Sequence, residues 1–461
     1  MSQRNLLILF ITALVSYASY FRAEQNPYAR YVAAGFSVID RWALANVPDQ
    51  QLFDRAMGAM VDVLQKAGDE HSEFIDETQS DSFREEIRQE FAGIGVSLRV
   101  LGKPPLPTVI GPPAPGTPAA QAGLRLADRL EAVDGKSTAG LDLDAVTDLV
   151  RGPKGSPVKL TLRRGDDKAA HGGEAIEATL LRALITVDSV EGDLRDATGA
   201  WEYRLRSQPR IGYLRILHFG DKTAAEIQRI ISALSRDGLD GAILDVRDDP
   251  GGALDAAVET CNLFLQVGRQ IVTTRERDQA IREKYVSTGS GPYFDLPLAI
   301  LVDRNSASAS EIVAACLQDY GRAAIVGERS YGKGTVQQLI GVESGRSLLK
   351  LTTATYWRPS GKNIHRMPGD DAAGEWGVTP DHELTVTQSE HELEEWQRYR
   401  LLRDVVGEDV SSALAKELMS DKLPAKDYAD RVLKMAVEEV GRKAAEVRGR
   451  ETGVDDQESG Q

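Results

Sequence analysis

The sequence predicts an α/β protein with a layer of buried, largely parallel strands between helices. Two observations after residue 210 indicate this fold class. Apolar runs of strand length at 241–246 and 298–302 lack polar alternation, which is typical of strands buried on both faces. These runs alternate with amphipathic segments of helical length at 224–235 and 309–320. Such alternation favours βα units in a layered sheet.

The elements of this layer are predicted in a simple order. Each apolar run is assigned to a strand and each segment with three- and four-residue apolar spacing to a helix. The order is strand 211–217, helix 224–235, strand 241–246, helix 253–267, strand 298–302, helix 309–320 and strand 323–326.

The rest of the chain divides by composition. Residues 28–83 are predicted to be helical and to bury one apolar stripe. From residue 91, glycine, proline and β-branched residues indicate a small domain of roughly 90 residues. Beyond about residue 385 the chain is charged and helix-forming, and 453–461 are predicted to be disordered. The stripe consists of Leu52, Met57, Met60, Val61 and Leu64.

Length and composition exclude several classes of protein. At about 150 residues per domain, 461 residues indicate roughly three structural units. Acidic residues outnumber basic residues 70 to 55, and the formal charge of −15 argues against nucleic-acid binding. Two cysteines, Cys261 and Cys316, exclude a disulfide framework and a structural cysteine–zinc site. Both are expected to be small core residues.

The N-terminus carries an apolar run at 6–21, bracketed by Arg4 and Arg22. Its length falls between a signal-peptide core and a membrane span. We interpret it as an export signal, and cleavage and retention as a membrane anchor both stay open. The bulk of the chain would then lie outside the cytoplasm, with membrane association through residues 6–21.

A serine-rich turn, NSASASEI at 305–312, follows the predicted strand 298–302. Such a segment at the start of a helix is first of all an N-cap. A serine there also has its hydroxyl near backbone N–H groups and the positive end of the helix, which stabilise an oxyanion.

Two further turns follow predicted strands. The segment GERSYGKGT at 327–335 nearly matches a phosphate-binding loop, but Gly334 stands where a magnesium-binding hydroxyl belongs. A nucleotide site is therefore disfavoured. The segment LDVRDDPGGA at 244–253 makes a tight turn, and its glycine amides offer donors to a developing negative charge.

Together these turns indicate chemistry at one edge of the sheet, because α/β sheets hold ligands at the C-terminal ends of their strands. A serine, an isolated lysine and glycine amides favour a Ser–Lys hydrolase, in which a desolvated lysine takes the serine proton. A serine–histidine triad stays open, although no nucleophile elbow supports it. The histidines lack zinc spacing; they are His71, His171, His218, His365, His382 and His391.

The combined motifs resemble the C-terminal processing (tail-specific) proteases. The segments 244–252 and 306–338 carry the family's signature, and the likeness extends over about residues 30–385. Four further segments match in order. They are GDEHSEFI (68–75), FAGIGV (91–96), LLKLTTATYWRPSGKNI (348–364) and WGVTPD (376–381).

The resemblance assigns roles to individual residues. It implies Ser308 as the nucleophile, Lys333 as the general base and Gln337 as the residue that orients the lysine. The oxyanion hole would be formed by the amides of Ala309 and either Gly251 or Gly252. Ser306 and Ser310 would be capping or structural.

The resemblance also implies the fold: a crotonase/ClpP-like protease core with an inserted PDZ domain and helical N- and C-terminal regions. The PDZ domain would bind a substrate tail as an added strand and hold its carboxylate with backbone amides. That loop would consist of Phe91, Gly93, Ile94, Gly95 and Val96. The expected boundaries are 1–27 for the signal or anchor, 28–88 for the helical N-terminal region, 89–185 for the PDZ domain, 186–385 for the core and 386–461 for the helical C-terminal region.

The sequence departs from the family pattern at three places. Ala127 stands where a turn usually has glycine, and a positive φ there would strain it. DDPGG at 248–252 replaces a more usual N-x-P-G-G, and Glu70 replaces a proline. Asp69, His71 and Ser72 therefore serve only as markers of the alignment.

We expect an exported serine endopeptidase that recognises protein C-terminal tails and needs no cofactor or metal. A homo-oligomer stays open. The alternatives are a non-catalytic PDZ adaptor of the same fold and a phosphate-loop nucleotide-binding protein.

Overall fold

The computed structural model describes residues 10–17, 26–88, 90–101, 105–110, 113–114, 116–164, 173–196, 200–289, 291–367, 369–371, 374–406 and 428–458. These divide into two compact units. The first consists of Met1–Ser80 and Gln337–Thr352, and the second of Asp81–Val336 and Thr353–Gln461.

Helices and strands alternate along most of the chain. Residues 10–17 are helical. The further helices are α1 (Pro27–Trp42), α2 (Asp49–Lys66), α3 (Glu77–Arg88), α4 (Pro118–Gln121), α5 (Leu143–Val150), α6 (Thr223–Arg236), α7 (Leu254–Asn262), α8 (Ala309–Asp319), α9 (Glu390–Val406) and α10 (Arg431–Glu458). The strands are β1 (Glu73–Ile75), β2 (Glu90–Gly93), β3 (Leu98–Leu101), β4 (Leu106–Val109), β5 (Arg129–Val133), β6 (Lys136–Ser137), β7 (Pro157–Arg164), β8 (Glu174–Leu181), β9 (Ala183–Thr186), β10 (Val190–Glu191), β11 (Leu194–Arg195), β12 (Trp201–Glu202), β13 (Arg204–Leu205), β14 (Gln208–Ile216), β15 (Gly241–Asp245), β16 (Gln270–Arg275), β17 (Ile281–Val286), β18 (Leu298–Val302), β19 (Ala324–Gly327), β20 (Thr335–Val342) and β21 (Ser347–Trp357).

The first unit is a small helix-and-strand assembly. Strand β1 pairs antiparallel with residues 348–350 of β21, and α2 packs against β1. The prediction that the apolar stripe on α2 is buried along its whole width is wrong. Val61 is buried, whereas Met60 and Leu64 are 50% and 41% exposed. A three-residue strand offers too little surface to cover the whole stripe.

The second unit contains the small domain that the composition shift predicts. Its antiparallel sheet has the order β3-β4-β5-β7-β8. Ile94, Leu130, Val146 and Leu160 belong to its own apolar core. Strand β2 pairs separately with β9.

The predicted layer of parallel strands is also present in the second unit. Strands β14, β15, β18 and β19 are parallel neighbours in that order. Helices α6, α7 and α8 contribute to one core with the sheet, and Cys261 and Cys316 lie fully buried there, as expected. The parallel register brings the C-terminal ends of β15, β18 and β19 to one edge.

One helix of the layer is shorter than predicted. Helix α7 ends at Asn262 instead of continuing to residue 267. The chain turns here because the carbonyl of Leu263 accepts the Tyr293 N–H at 3.0 Å rather than an amide of a next helical turn. Leu263, Phe264 and Leu265 still fill the core.

The C-terminal region closes the other face of the parallel sheet. Val432, Ala436 and Val440 of α10 are buried against it. A buried ion cluster lies at the end of β15, where Arg247 donates to Asp245 at 2.6 Å and to Asp430 at 2.8 Å. The helix continues to Glu458, into the segment predicted to be disordered. Extending an existing helix by a residue costs less than starting one.

Among the residues that the structure describes, no helix combines the length and the apolar character needed to cross a bilayer. The apolar run 6–21 lies only in part within those residues.

Ala127 provides a direct test of backbone strain in the small domain. Its φ is +71°, so the alanine does occupy the left-handed region where glycine is usual. We expect Ala127→Gly to raise the free energy of unfolding of this domain by about 0.5–1 kcal/mol. Amide-exchange protection of β4 and β5 in increasing urea measures it.

The matched control is Ala122→Gly at another exposed alanine, whose φ is −79°. We expect this control to lower the stability, because glycine there adds only unfolded-state entropy. Equal effects of the two substitutions would show that Ala127 is not strained.

Candidate functional site

Three loops meet at the edge formed by the ends of β15, β18 and β19. Hydrogen bonds join them: the Ala307 N–H donates to the Asp249 carbonyl at 3.0 Å, and the Tyr331 N–H donates to the Ser306 carbonyl at 3.0 Å. The Asp248 N–H donates to Asp303 Oδ1 at 3.1 Å. The glycine, serine and lysine turns therefore form one connected structure.

Ser308 lies at the start of α8 in a strained conformation. Its φ and ψ are +55° and −113°, a region that a residue with a Cβ adopts at a cost of about 1–3 kcal/mol. The side chain is 7% exposed. Its neighbours have structural roles, since Ser306 Oγ donates to the Val246 carbonyl at 2.7 Å and Ser310 Oγ donates to the Asp249 carbonyl at 3.3 Å.

The buried carboxylate of Glu311 connects the serine turn to the lysine loop. Its Oε2 accepts the N–H of Ser308 at 2.9 Å and the N–H of Lys333 at 2.8 Å. Its Oε1 accepts the Gly332 N–H at 2.7 Å and the Ser330 hydroxyl at 2.5 Å. One oxygen thus holds the backbones of the two residues that the sequence predicts as nucleophile and base.

The protonation of Glu311 is poised close to neutrality. Burial raises the pKa of Glu311 to about 7, although the hydrogen bonds from Ser330, Gly332, Ser308 and Lys333 favour the carboxylate. All four partners are donors, so the ionised form fits the site and a protonated carboxyl would lose one of these bonds.

The two candidate oxyanion glycines differ in how their amides are used. The Gly251 N–H donates to Asp249 Oδ1 at 2.8 Å. A Cβ on Gly251 would lie 2.7 Å from the Ser308 Cβ and 2.8 Å from the Ala309 nitrogen, so this glycine allows close approach to the serine turn. Gly252 lies against the backbone of Phe219, and which of the two glycines would serve beside Ala309 stays a prediction.

Asp249 holds Gly251 from a buried position. Burial raises the pKa of Asp249 well above its usual value, and the nearby charges of Asp303 and Asp248 act in the same direction. The protonated form can still accept the Gly251 N–H, so this contact does not depend on ionisation.

The lysine loop is built by close backbone packing. Gly334 lies against the backbone of His365, and its carbonyl accepts the Tyr356 N–H at 2.7 Å. A Cβ on Gly332 would lie 2.8 Å from the Arg366 Cβ. Strand β20 follows at once, so the loop does not lead into a helix as a phosphate-binding loop does. The phosphate-loop alternative therefore lacks its structural basis.

Gln337 belongs to the first unit. Its Nε2 donates to Thr352 Oγ1 at 3.2 Å, and Thr352 Oγ1 contacts Asp69 Oδ1 at 2.7 Å. The alignment marker Asp69 thus has a structural connection to a predicted site residue.

The predicted tail-binding segment divides between a strand and a loop. Phe91 and Gly93 lie in β2, whereas Ile94, Gly95 and Val96 follow it. The Ile94 side chain is buried in the domain core, so only its backbone is available to a ligand. Gly95 has φ +79° and adjoins Thr117, which gives the loop its turn. Ile94 and Val96 pack in the core of the small domain, whereas Ala309, next to Ser308, packs in the core of the parallel layer.

Glu311 and Thr352 contact predicted site residues, and the sequence analysis assigned a role to neither of them. A signal for Glu311 was present, because Ser308 and Glu311 form the S-x-x-E spacing of a capping box. Thr352 had no comparable local signal. Within the described residues, no group of three or more histidine, cysteine, aspartate or glutamate side chains could hold a metal ion.

The chain is similar to known proteins over the regions that carry these motifs. Residues 210–384 match the model of peptidase family S41, and residues 109–164 match a PDZ domain model. The chain is 35% identical over 366 residues to a carboxy-terminal-processing protease of Bartonella bacilliformis, covering 78% of this chain and 76% of that protein. It is 32% identical over 324 residues to the carboxy-terminal processing protease CtpA of Bacillus subtilis, covering 69% of this chain and 62% of that protein.

A solved structure of a photosystem II D1 C-terminal processing protease also matches. Its sequence identity is 26% and its TM-score is 0.41, with 78% of this chain and 93% of that chain covered.

Replacing Glu311 tests whether its carboxylate assembles the site. Glu311→Gln puts an amide N–H₂ where N–H and O–H donors already point, and at least one charge-assisted hydrogen bond is lost. Such a bond contributes about 1.5–3 kcal/mol, so we expect the kcat for peptide cleavage to fall at least about 10-fold. The control is Glu438→Gln at an exposed position of α10, which should leave kcat unchanged.

The pH dependence gives a second readout. A carboxyl whose pKa is raised from 4.5 to about 7 makes the folded protein less stable as pH rises between these values. Activity needs the carboxylate and should fall as pH drops through about 7. The Glu311→Gln variant should lose the stability change over this range. Wild-type kcat and an unaltered stability profile in the variant would contradict the assignment.

Proposed function

The chain belongs to peptidase family S41 and carries a PDZ domain, and on this premise we propose that Ser308 and Lys333 cleave protein substrates selected by their C-terminal tails. The family and its carboxy-terminal processing relatives identify the chain as a serine peptidase. The observation that supports the two residues most strongly is the shared Glu311 oxygen, which accepts both backbone amides.

The proposed chemistry is acyl transfer to serine. Lys333, as a neutral amine, takes the Ser308 hydroxyl proton while Oγ attacks the scissile carbonyl. The carbonyl oxygen becomes an oxyanion that accepts hydrogen bonds from the amides of Ala309 and Gly252. Lys333 then gives its proton to the departing amine, and water hydrolyses the acyl-enzyme with the same lysine as base.

The strain at Ser308 suits this role. A nucleophile at a sharp turn before a helix presents Oγ beside the first helical amides, and these are the amides without an intrahelical acceptor. The local cost of about 1–3 kcal/mol is offset by the hydrogen bonds to Glu311. Lys333 is half-buried, and the proposed mechanism uses its neutral amine.

The PDZ domain is proposed to select the substrate. Strand β3 begins the strand order of its described sheet, and helix α5 packs beside it. A substrate tail can add as a strand along β3, with its carboxylate at the preceding loop of Gly93, Gly95 and Val96. Phe91 contributes an aromatic ring under the Arg151 guanidinium, 4.8 Å from its centroid.

The proposal also includes the domain boundaries and the export of the chain. We assign a crotonase/ClpP-like core to 186–385 and the PDZ domain to 89–185, with helical regions at 28–88 and 386–461. The parallel sheet β14-β15-β18-β19 with its flanking helices supports the core assignment. We also propose export directed by residues 1–27, with 6–21 as a signal core or anchor. The apolar run between Arg4 and Arg22 supports this.

Two substitutions in the purified full chain test the catalytic pair. We expect Ser308→Ala to abolish cleavage of peptides from a C-terminal tail library, and Lys333→Ala to lower kcat by about 10²–10⁴-fold. Ser360→Ala and Lys362→Ala, at exposed positions, are the matched controls and should cleave normally. Normal cleavage by either site variant would refute the dyad.

The same library tests tail recognition when each peptide is made with a free carboxylate and with a C-terminal amide. Capture of the carboxylate by backbone amides predicts a lower kcat/KM for the amidated peptides. Binding of tails without any cleavage by the wild-type chain would instead favour the PDZ adaptor.

A further inference from the structure

The loop at 248–252 supplies one amide of the proposed oxyanion hole, and its two ends are held by different parts of the chain. At its C-terminal end the Phe219 N–H donates to the Gly251 carbonyl at 2.8 Å. At its N-terminal end the chain runs from β15 through Arg247 into Asp248. The contacts of these two residues therefore fix where the loop begins.

The side chain of Arg247 is held between two carboxylates. It is fully buried, and its Nε and Nη2 donate to Oδ1 and Oδ2 of Asp245 at 2.9 and 2.6 Å. Its Nη1 and Nη2 donate to Oδ1 and Oδ2 of Asp430 at 3.1 and 2.8 Å. Burial acts to raise the pKa of Asp245, but the Arg247 charge and its hydrogen bonds outweigh burial, and the pKa lies below its usual value. Bidentate pairs on both sides fix the guanidinium in one orientation.

The C-terminal helices supply two of the contacts to Arg247. Asp430 directly precedes α10, and its Oδ1 also accepts the Leu433 N–H at 2.9 Å, as an N-cap does. Trp396 of α9 is 1% exposed, and the Arg247 guanidinium lies over its ring, 4.5 Å from the centroid. Buried cation–π contacts of this kind are favourable. Both helical segments therefore contact the residue that leads into the loop.

The side chain of Asp248 is held from the same side. Its φ is +60°, a region in which aspartate and asparagine are among the best tolerated side chains. Its Oδ1 accepts Asn305 Nδ2 at 2.9 Å, and its Oδ2 accepts Gln397 Nε2 of α9 at 3.3 Å. An aspartate offers an acceptor oxygen to both amides, whereas an asparagine would offer one to only one of them. The departure from N-x-P-G-G at this position thus matches its two donors.

We propose that the C-terminal helices position the loop at 248–252 for catalysis. Asp430, Trp396 and Gln397 act as positioning residues through the two residues at the start of the loop. This rests on the proposed function, in which a glycine amide of the loop and the Ala309 N–H stabilise the oxyanion. Since the oxyanion forms only after the hydroxyl attacks, a displaced loop lowers kcat and leaves tail binding unchanged.

Asp430→Ser separates the two roles of Asp430. A serine can still cap α10, but one hydroxyl cannot pair with both Nη groups of Arg247. In the purified full chain we expect kcat for peptide cleavage to fall at least about 10-fold with KM unchanged, because small displacements of catalytic groups have large effects on rate. Wild-type kcat in Asp430→Ser would overturn the proposal.

The control for a general weakening of α10 is Val440→Ala. Val440 is fully buried and packs against Gly241 at the other end of β15. This substitution should lower the free energy of unfolding and leave kcat unchanged. A loss of kcat as large as in Asp430→Ser would mean that any damage to α10 reduces activity, which contradicts a specific positioning role.

A double-mutant cycle tests the contact between Gln397 and Asp248. Asp248→Gly removes the carboxylate and permits the φ of +60°. Gln397→Ala should lower kcat about 3-fold in the wild-type chain and less than about 1.5-fold when Asp248→Gly is already present. The matched control is Glu390→Ala at another exposed position of α9, which should leave kcat unchanged. An equal effect of Gln397→Ala in both backgrounds would contradict action through Asp248.

A peptide aldehyde reports directly on the oxyanion position. Its hemiacetal with Ser308 places an oxygen where the oxyanion forms, so its binding resembles that of the transition state. In Asp430→Ser we expect its Ki to rise at least about 10-fold. The Kd of an uncleaved tail peptide, measured with Ser308→Ala present, should stay unchanged. An unaltered Ki, or a parallel rise of Ki and Kd, would overturn the proposal.

The same set of variants distinguishes failure of this inference from failure of the proposed function. If Ser308→Ala or Lys333→Ala cleaves normally, the proposed function itself is wrong. If both lose activity while Asp430→Ser and Gln397→Ala retain wild-type kcat, only the positioning role of the C-terminal helices is overturned.

Discussion

The carboxylate of Glu311 is the interaction on which the candidate active site depends. The serine turn and the lysine loop follow different strands, and the hydrogen bond from the Tyr331 N–H to the Ser306 carbonyl is one connection between them. Glu311 fixes both segments further, because its two oxygens accept three backbone amides and one hydroxyl from them. Burial strengthens each of these bonds and makes the loss of any one expensive.

This arrangement requires unusual backbone conformations in the neighbouring loops. Ser308 has a strained backbone, and Gly251 and Gly252 have φ of +101° and +146°. The side chain of Asp249 accepts the Gly251 N–H, and the parallel sheet holds the strand ends in register. A rigid scaffold of this kind suits the proposed mechanism, in which an attacking hydroxyl, its base and two oxyanion donors are placed together.

The parallel sheet could be predicted from sequence because strands buried on both faces leave unmistakable apolar runs, as at 298–302. Strand β17 could not, since its side chains are mostly charged and exposed and its pairing with β16 decides its conformation. Ser308 and Lys333 were predicted from motifs. The link from Gln337 to Asp69 was beyond reach, because Thr352 and Asp69 are 283 positions apart and only the folded chain brings them together.

The most direct test of the account is a crystal structure of the full chain after reaction with a serine-directed peptidyl phosphonate. We expect a bond between phosphorus and Ser308 Oγ, and a phosphoryl oxygen that accepts the N–H groups of Ala309 and Gly252. Glu311 Oε2 should still accept the amides of Ser308 and Lys333. An adduct on another residue, or separation of the two loops from Glu311 in the adduct, would contradict the account.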